Sequence, residues 1–169
     1  MYDQLDGDSY WQVRSALAGE SVSQLPITIA VELAIHIIQV GKRCLLIDMD
    51  PTRNAVATAF EIDSSSMQGK AVPTGIAHLW ISPADDPDNP TAVKLARKAA
   101  NALKVFDYVV IYAPNAAEQN VQDQLAGVSD AAIIFGTSEE TARLEEFSKT
   151  LDLWGCRIVL EQDLLKKNA

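Results

Sequence analysis

Residues Gly41 to Phe60 read GKRCLLIDMDPTRNAVATAF. From Cys44 to Met49 every side chain but Asp48 is apolar, which suits a strand buried on both faces of a parallel sheet. Working back, Gly41 can close a helix that Pro26 can open, because proline fits the first helical turn and needs no N–H partner there. Within that helix Thr28, Glu32, His36 and Gln39 recur at helical spacing among apolar neighbours, so one thin polar stripe lines a mostly buried cylinder. His36 belongs to the stripe and reads as a solvated or hydrogen-bonded residue rather than a catalytic base. Working forward, Asp48 and Asp50 close the strand. As an isolated pair they would only begin a turn and cap the next helix.

The same alternation continues along the chain. The strands are read at Tyr10–Ser15, Cys44–Met49, His78–Ser82, Tyr108–Ala113, Ala131–Gly136 and Cys156–Leu160. Helices are read from about Thr91 to Lys104, with Lys94, Arg97 and Lys98 as a basic face, from Ala116 to Val128, and from Ser138 to Trp154. Thr137 or Ser138 can cap the last of these, Glu139 and Glu140 suit its positive end, and Gly155 ends it. Asp63 to Gly75 and Ala84 to Pro90 are read as loops. Strand–helix alternation of this kind predicts a three-layer, doubly wound α/β fold, with a mainly parallel sheet of about six strands flanked by helices. The expectation is a single domain over residues 1–169, with residues 1–9 a flexible N-terminus.

Composition narrows the partners. The chain has 169 residues, 48% apolar and 22% charged, with a net charge of −9. That balance opposes direct binding to nucleic acid or to an anionic bilayer, since both need basic patches. No run resembles a secretory leader, and none is long and uncharged enough to span a membrane. Cys44 and Cys156 are read as buried reduced thiols of a cytoplasmic protein. Two histidines and no CxxC pair argue against a zinc site. Trp11, Trp80 and Trp154 are candidates for core or interface, and their places in or beside expected elements favour core.

With its flanks, the Gly41–Phe60 string resembles the second nucleotide motif of the deviant P-loop ATPases, the group holding the partition and septum-site ATPases and the bacterial tyrosine kinases. Three further stretches resemble the tyrosine-kinase branch. VRSALAGE, at Val13 to Glu20, is similar to the start of its phosphate loop. Pro73 to Ala96 is similar to its strand, Pro-Asn-Pro turn and helix. Phe106 to Asn115, FDYVVIYAPN, is similar to its third motif. The strand–helix–strand of Asp130 to Glu161 resembles its close. The resemblance implies a P-loop NTPase fold over nearly the whole chain. It also implies a nucleotide site over Gly19, Glu20, Ser21, Val22, Ser23, Asp48, Asp50, Arg53, Tyr112 and Glu161, with Mg²⁺ held by Ser23, Asp48 and Asp50 if nucleotide binds.

Each departure from that pattern falls on chemistry. The Gly-Lys of the phosphate loop is Ser21-Val22, so the charge that reaches the β/γ-phosphates is gone. This pairing leaves about four extra residues before Gly41; pairing without a gap puts Pro26 at the lysine position instead. The third-motif Asp is Tyr112, and the adenine-reading Asn is Glu161, whose carboxylate cannot both donate and accept. Losing a preorganised charge at a phosphoryl-transfer site costs about 10²–10³ in rate per group. Arg14, beside the loop, and Arg53 are the remaining candidate cations. The last residues, EQDLLKKNA, hold no tyrosine where the resembled branch has a tyrosine-rich tail; Tyr2, Tyr10, Tyr108 and Tyr112 are the four tyrosines.

The expected function is therefore a catalytically degenerate, pseudo-ATPase or pseudokinase domain with no catalytic residue and no cofactor. As the resemblance implies, it would act as a cytoplasmic protein-binding or regulatory module in exopolysaccharide biosynthesis or export. The implied partner is a membrane polysaccharide co-polymerase or a related ATPase or kinase subunit, through which the chain would associate with the membrane without inserting. Homo-oligomerisation is also implied. Two alternatives stay open: an active ATPase or tyrosine kinase that binds MgATP in a rearranged site, and a partition-type positioning ATPase.

Overall fold

A computed structural model describes residues 12–23, 25–50, 52–83, 85–86, 89–93, 95–135, 146–151 and 157–161. The expectations for residues 1–9, Trp11, the caps at Thr137 or Ser138, Trp154, Gly155 and Cys156 lie outside them. In chain order the elements are β1 (Val13–Gly19), α1 (Ile27–Gln39), β2 (Cys44–Asp48), α2 (Ala55–Ala59), α3 (Ser64–Met67), β3 (Val72–Pro73) and β4 (Leu79–Pro83). They continue with β5 (Asp85–Asp86), β6 (Asn89–Val93), α4 (Leu95–Ala102), β7 (Tyr108–Ala113), α5 (Gln119–Val128), β8 (Ala131–Phe135) and β9 (Arg157–Glu161). Residues 146–151 are helical.

One sheet carries the order β3-β4-β2-β7-β1-β8-β9. Its pairs are parallel except β3–β4. The doubly wound expectation holds, with β3 as a seventh strand of two residues. Strand periodicity sorts the side chains into two cores. Leu17, Cys44, Leu46, Val110 and Tyr112 face one layer with Ala30, Ala34 and Ile37 of α1. Ala16, Ala18, Leu45, Ile47, Val109 and Ile111 face the other with Leu95, Ala99, Val121 and Leu125. The continuous apolar runs are thus buried from both sides.

Helix α1 follows its sequence signals. Pro26 is its N-cap, with φ −66° and ψ 147°. Gly41 takes φ +82° just past the end, a left-handed position that favours glycine. Thr28, Glu32, His36 and Gln39 are exposed, and His36 Nδ1 lies 2.8 Å from the Glu32 carbonyl oxygen. The thiol of Cys44 is fully buried, and burial pushes its pKa up to about 12, so it is inert as a nucleophile.

Four expectations are corrected. The first strand is Val13–Gly19 rather than Tyr10–Ser15. Ala16, Leu17 and Ala18 lie between β7 and β8, where only a strand satisfies their backbone groups. The Asp63–Gly75 segment holds α3 and β3; the Asp63 side chain caps α3 by accepting the Ser65 N–H, and Val72 and Pro73 pair with β4. The segment read as a loop to Pro90 forms the β5–β6 hairpin, so α4 begins at Leu95 rather than Thr91. Pro90 biases Asn89 towards extended backbone, which favours that outcome. Trp80 is 38% exposed near the sheet edge, stacked edge-to-face on Phe106 at 6.0 Å, rather than buried.

Candidate functional site

The chain leaves the interior strand β1 towards β2 and β4 on one side and reaches β8 and β9 on the other. In open α/β sheets such a reversal forms a crevice at the carboxyl ends of the strands. Most of the sequence-derived site residues come to this edge. Gly19 ends β1 and lies level with Phe135 and, one strand further, Glu161. Two strand spacings, about 10 Å, separate Gly19 from Glu161. Tyr112 lies level with Leu17 on one side and Asp48 on the other.

The segment between β1 and α1 folds onto itself. Leu25 donates its N–H to the Ser21 carbonyl at 3.0 Å, and the Ser21 and Ser23 hydroxyls meet at 2.8 Å. Leu25 is fully buried. A Cβ added to Gly19 would stand 2.9 Å from Leu25 Cβ, so the loop closes there only because residue 19 has no side chain. Helix α1 starts at Ile27. Ser21, Val22 and Ser23 therefore precede the first helical turn, and the extra residues lengthen the loop instead of adding a turn of helix. The strand follows one sequence pairing and the helix start follows the other, which sets Pro26 at the lysine position.

Tyr112 closes the crevice from below. It is 1% exposed, and its hydroxyl donates to the Leu25 carbonyl at 2.9 Å. Burial, then the charges of Asp48 and Asp50, push its pKa up to about 12 against the opposing pull of Arg53. The phenol thus keeps the proton it donates across the ordinary pH range. Leu25 was not singled out from the sequence; a leucine directly before the helix-opening proline, in a loop that would need small residues, was its signal.

Both acidic side chains are buried and engaged by their own chain. Asp48 accepts the Asp50 N–H at 2.9 Å and the Val56 N–H at 3.1 Å. Asp50 accepts the Thr52 hydroxyl at 2.7 Å, the Thr52 and Arg53 N–H groups at 3.1 and 3.3 Å, and Arg53 Nη1 at 3.1 Å. These bonds are those of a turn that feeds α2. Asn115, also missed in the sequence, donates to the Met49 carbonyl at 3.2 Å while its own carbonyl oxygen is buried without a donor.

The other candidate cation is elsewhere. Arg14 sits near the amino end of β1, five residues before Gly19, not beside the loop. It makes a two-pronged pair with Asp130 at 3.0 Å on each prong. Arg43 makes the matching fork with Asp107 at the start of β2. Lys98, read as part of a basic face, turns inward to Gly69 and Pro83 carbonyls and the Ser82 hydroxyl.

The Gly19–Leu25 contact gives a first prediction. Gly19→Ala is expected to cost about 1–3 kcal/mol through overpacking, read as a lower melting temperature. In Gly19→Ala/Leu25→Ala the Gly19 substitution should cost less than it does alone, because its obstacle is gone. Additive costs would mean that the two residues do not meet.

No family model matches the chain, and no curated protein matches its sequence. Solved structures do match. The kinase domain of the Escherichia coli tyrosine kinase ETK has a TM-score of 0.68 at 14% identity, covering 94% of this chain and 69% of that one. The VpsO kinase domain has a TM-score of 0.65 at 21% identity, covering 93% and 85%. The septum site-determining protein MinD of Pyrococcus horikoshii, solved with Mg-ADP, has a TM-score of 0.66 at 16% identity, covering 87% and 67%. With the strand order above, these show that the chain shares the α/β fold of those bacterial tyrosine kinase domains and of that MinD.

Proposed function

We propose that this chain is a catalytically degenerate member of that fold group, kept as a protein-binding or regulatory module. The observation that carries the reading is the pairing of Tyr112 with Leu25. A phosphate loop needs backbone N–H groups around an open cradle, with a cation above it. Here an apolar side chain and a phenol fill the space between the ends of β1 and β7. The two carboxylates support the same reading, since they accept hydrogen bonds from backbone N–H groups, Thr52 and Arg53. The residues present do not fit a bound nucleotide phosphate, so no phosphoryl-transfer step is assigned.

Resemblance to the tyrosine-kinase branch supports a cytoplasmic role in exopolysaccharide biosynthesis or export. The partner on this reading is a membrane polysaccharide co-polymerase or a related kinase subunit, and any contact with the membrane passes through it. No described helix is long and apolar enough to cross a bilayer.

The test is turnover. With millimolar MgATP, the full chain is expected to release phosphate no faster than an Asp48→Asn/Asp50→Asn control and to transfer none to tyrosine. Turnover abolished by those substitutions would replace this reading with that of an active ATPase or kinase in a rearranged site.

A further inference from the structure

A cavity of about 220 Å³ opens between the start of α5 and the helical residues 146–151. One water takes up only about 30 Å³ in the liquid, so there is room for a small ligand. Glu20, the residue after β1, lines one end, and close by the Ala116 N–H reaches the Gly19 carbonyl at 2.8 Å. Phe147 and Ala117 form the apolar wall; Gln119, Gln122, Glu146 and Thr150 form the polar one. Phe147 packs in the layer of Val121 and Leu125, whereas Leu25 and Tyr112 belong to the other layer. The cavity is therefore distinct from the Leu25–Tyr112 contact.

The side chains of the polar wall have one kind of hydrogen bonding left to offer. Gln122 Nε2 donates to the Ala116 carbonyl at 2.7 Å, and Gln119 Nε2 donates to Asp123 Oδ1 at 2.8 Å. Both partners are acceptors, so each amide has only this orientation and keeps its carbonyl oxygen for a ligand. The Thr150 hydroxyl donates to the Glu146 carbonyl at 3.2 Å, which leaves it lone pairs alone. Glu146 is exposed, and among the described residues no donor meets its carboxylate. Glu20 already interacts within the chain, and the site does not depend on its charge. Lys149 of the same helix is exposed and does not line the cavity. The amino end of α5 opposes this polarity, but a helix end carries only about half a positive charge, less than the full negative charge of Glu146.

We propose that this cavity binds the ammonium end of an aliphatic amine. An ammonium brings three donors, no acceptor and a full positive charge. It complements the Glu146 carboxylate, the two amide oxygens and Thr150. Its methylene stem would lie against Phe147 and Ala117. An anionic ligand would bring acceptors to acceptors and meet a chain of net charge −9. A bare metal ion fits less well, since no group of three or more His, Cys, Asp or Glu suited to one gathers among the described residues. A free diamine and the lysine side chain of a partner offer the same group, and the test below separates them. The proposal goes beyond the protein-binding reading and does not rest on it.

The test is nuclear magnetic resonance of the isotope-labelled full chain at low salt. The probes are 1,4-diaminobutane, Nα-acetyl-lysine amide and the uncharged 1,4-butanediol. An amine is expected to shift the backbone amide signals of Ala117, Gln119, Gln122 and Thr150 saturably in the millimolar range, and the diol is not. Glu146→Gln should weaken that binding about tenfold, because a hydrogen bond to a charged group goes with the charge. Glu32→Gln removes an equal charge from an exposed position on α1, in the other layer, and should leave the binding unchanged. A stronger response to the diamine supports the proposal with a free small molecule as ligand. A stronger response to the lysine derivative supports it with a protein side chain as ligand. No saturable shift at these signals with either amine, or an equal response to the diol, would overturn it. So would an equal loss in Glu32→Gln, which would mean diffuse attraction by the net charge. Nucleotide turnover would remove the degenerate-site reading and leave all these outcomes standing.

Discussion

Tyr112→Ala is expected to destabilise the fold by about 3–5 kcal/mol, the usual cost of emptying a buried aromatic site. For a chain of this size that is a fall in melting temperature on the order of 10 °C. Tyr112 is buried at 1% exposure between Leu17 and Asp48 on neighbouring strands. Its removal also strips the donor from the Leu25 carbonyl. Tyr112→Phe separates the two contributions. It keeps the ring and should cost about 1–3 kcal/mol for the unsatisfied carbonyl. Equal losses in the two variants would mean that the ring is not packed, and no loss in the alanine variant would mean that the crevice is open.

Asp48→Ala is expected to cost about 2–4 kcal/mol, because it leaves the Asp50 and Val56 N–H groups without their acceptor in a buried place. Asp48→Asn keeps one carbonyl oxygen and should cost about half as much. A structural role predicts that both losses are the same with and without millimolar Mg²⁺. A metal-holding role predicts that Mg²⁺ raises the melting temperature of the wild type and not of the variants. Thermal melts of the three proteins at both ion conditions decide between them. Relief of repulsion between Asp48 and Asp50 reduces the expected loss, but the Arg53 partner at 3.1 Å already offsets part of that repulsion.

The fold was legible where one force dominated. CLLIDM and YVVIYA are buried on both sides, so no pattern but a sandwiched strand fits them, and the strands Cys44–Asp48 and Tyr108–Ala113 fall where they were expected. Pro26 and Gly41 bracket α1 because each is suited to one end of a helix. The β1 boundary was harder. Ala16, Leu17 and Ala18 are small or apolar enough for either a strand end or a phosphate loop, and the strand prevails because β7 and β8 pair with it on both sides. The β5–β6 hairpin depends on backbone pairing between residues that sequence patterning reads only as turn formers.

The site was half legible. The departures from the resembled motifs at Ser21-Val22, Tyr112 and Glu161 are sequence readings, and the structure shows that Tyr112 is buried. What fills the crevice could not be read, because Leu25 meets Gly19 and Tyr112 only after the loop turns back on itself. Arg14 looked close to the loop in sequence but lies near the other end of a seven-residue strand, held by Asp130. The exposure of Trp80 reflects its position near the sheet edge, which hydropathy alone does not encode.

On the proposed reading, Leu25 and Tyr112 fill the crevice that a nucleotide phosphate would need. Titration calorimetry of the full chain with MgATP and MgADP at millimolar concentration, paired with thermal melts, tests it most directly. No heat of binding and no thermal shift are expected. A ligand present at a hundred times its Kd would add about 2.7 kcal/mol of stability, which a melt detects easily. Saturable heat with such a shift would contradict a filled crevice, because Leu25 and Tyr112 would then have to move aside for phosphate.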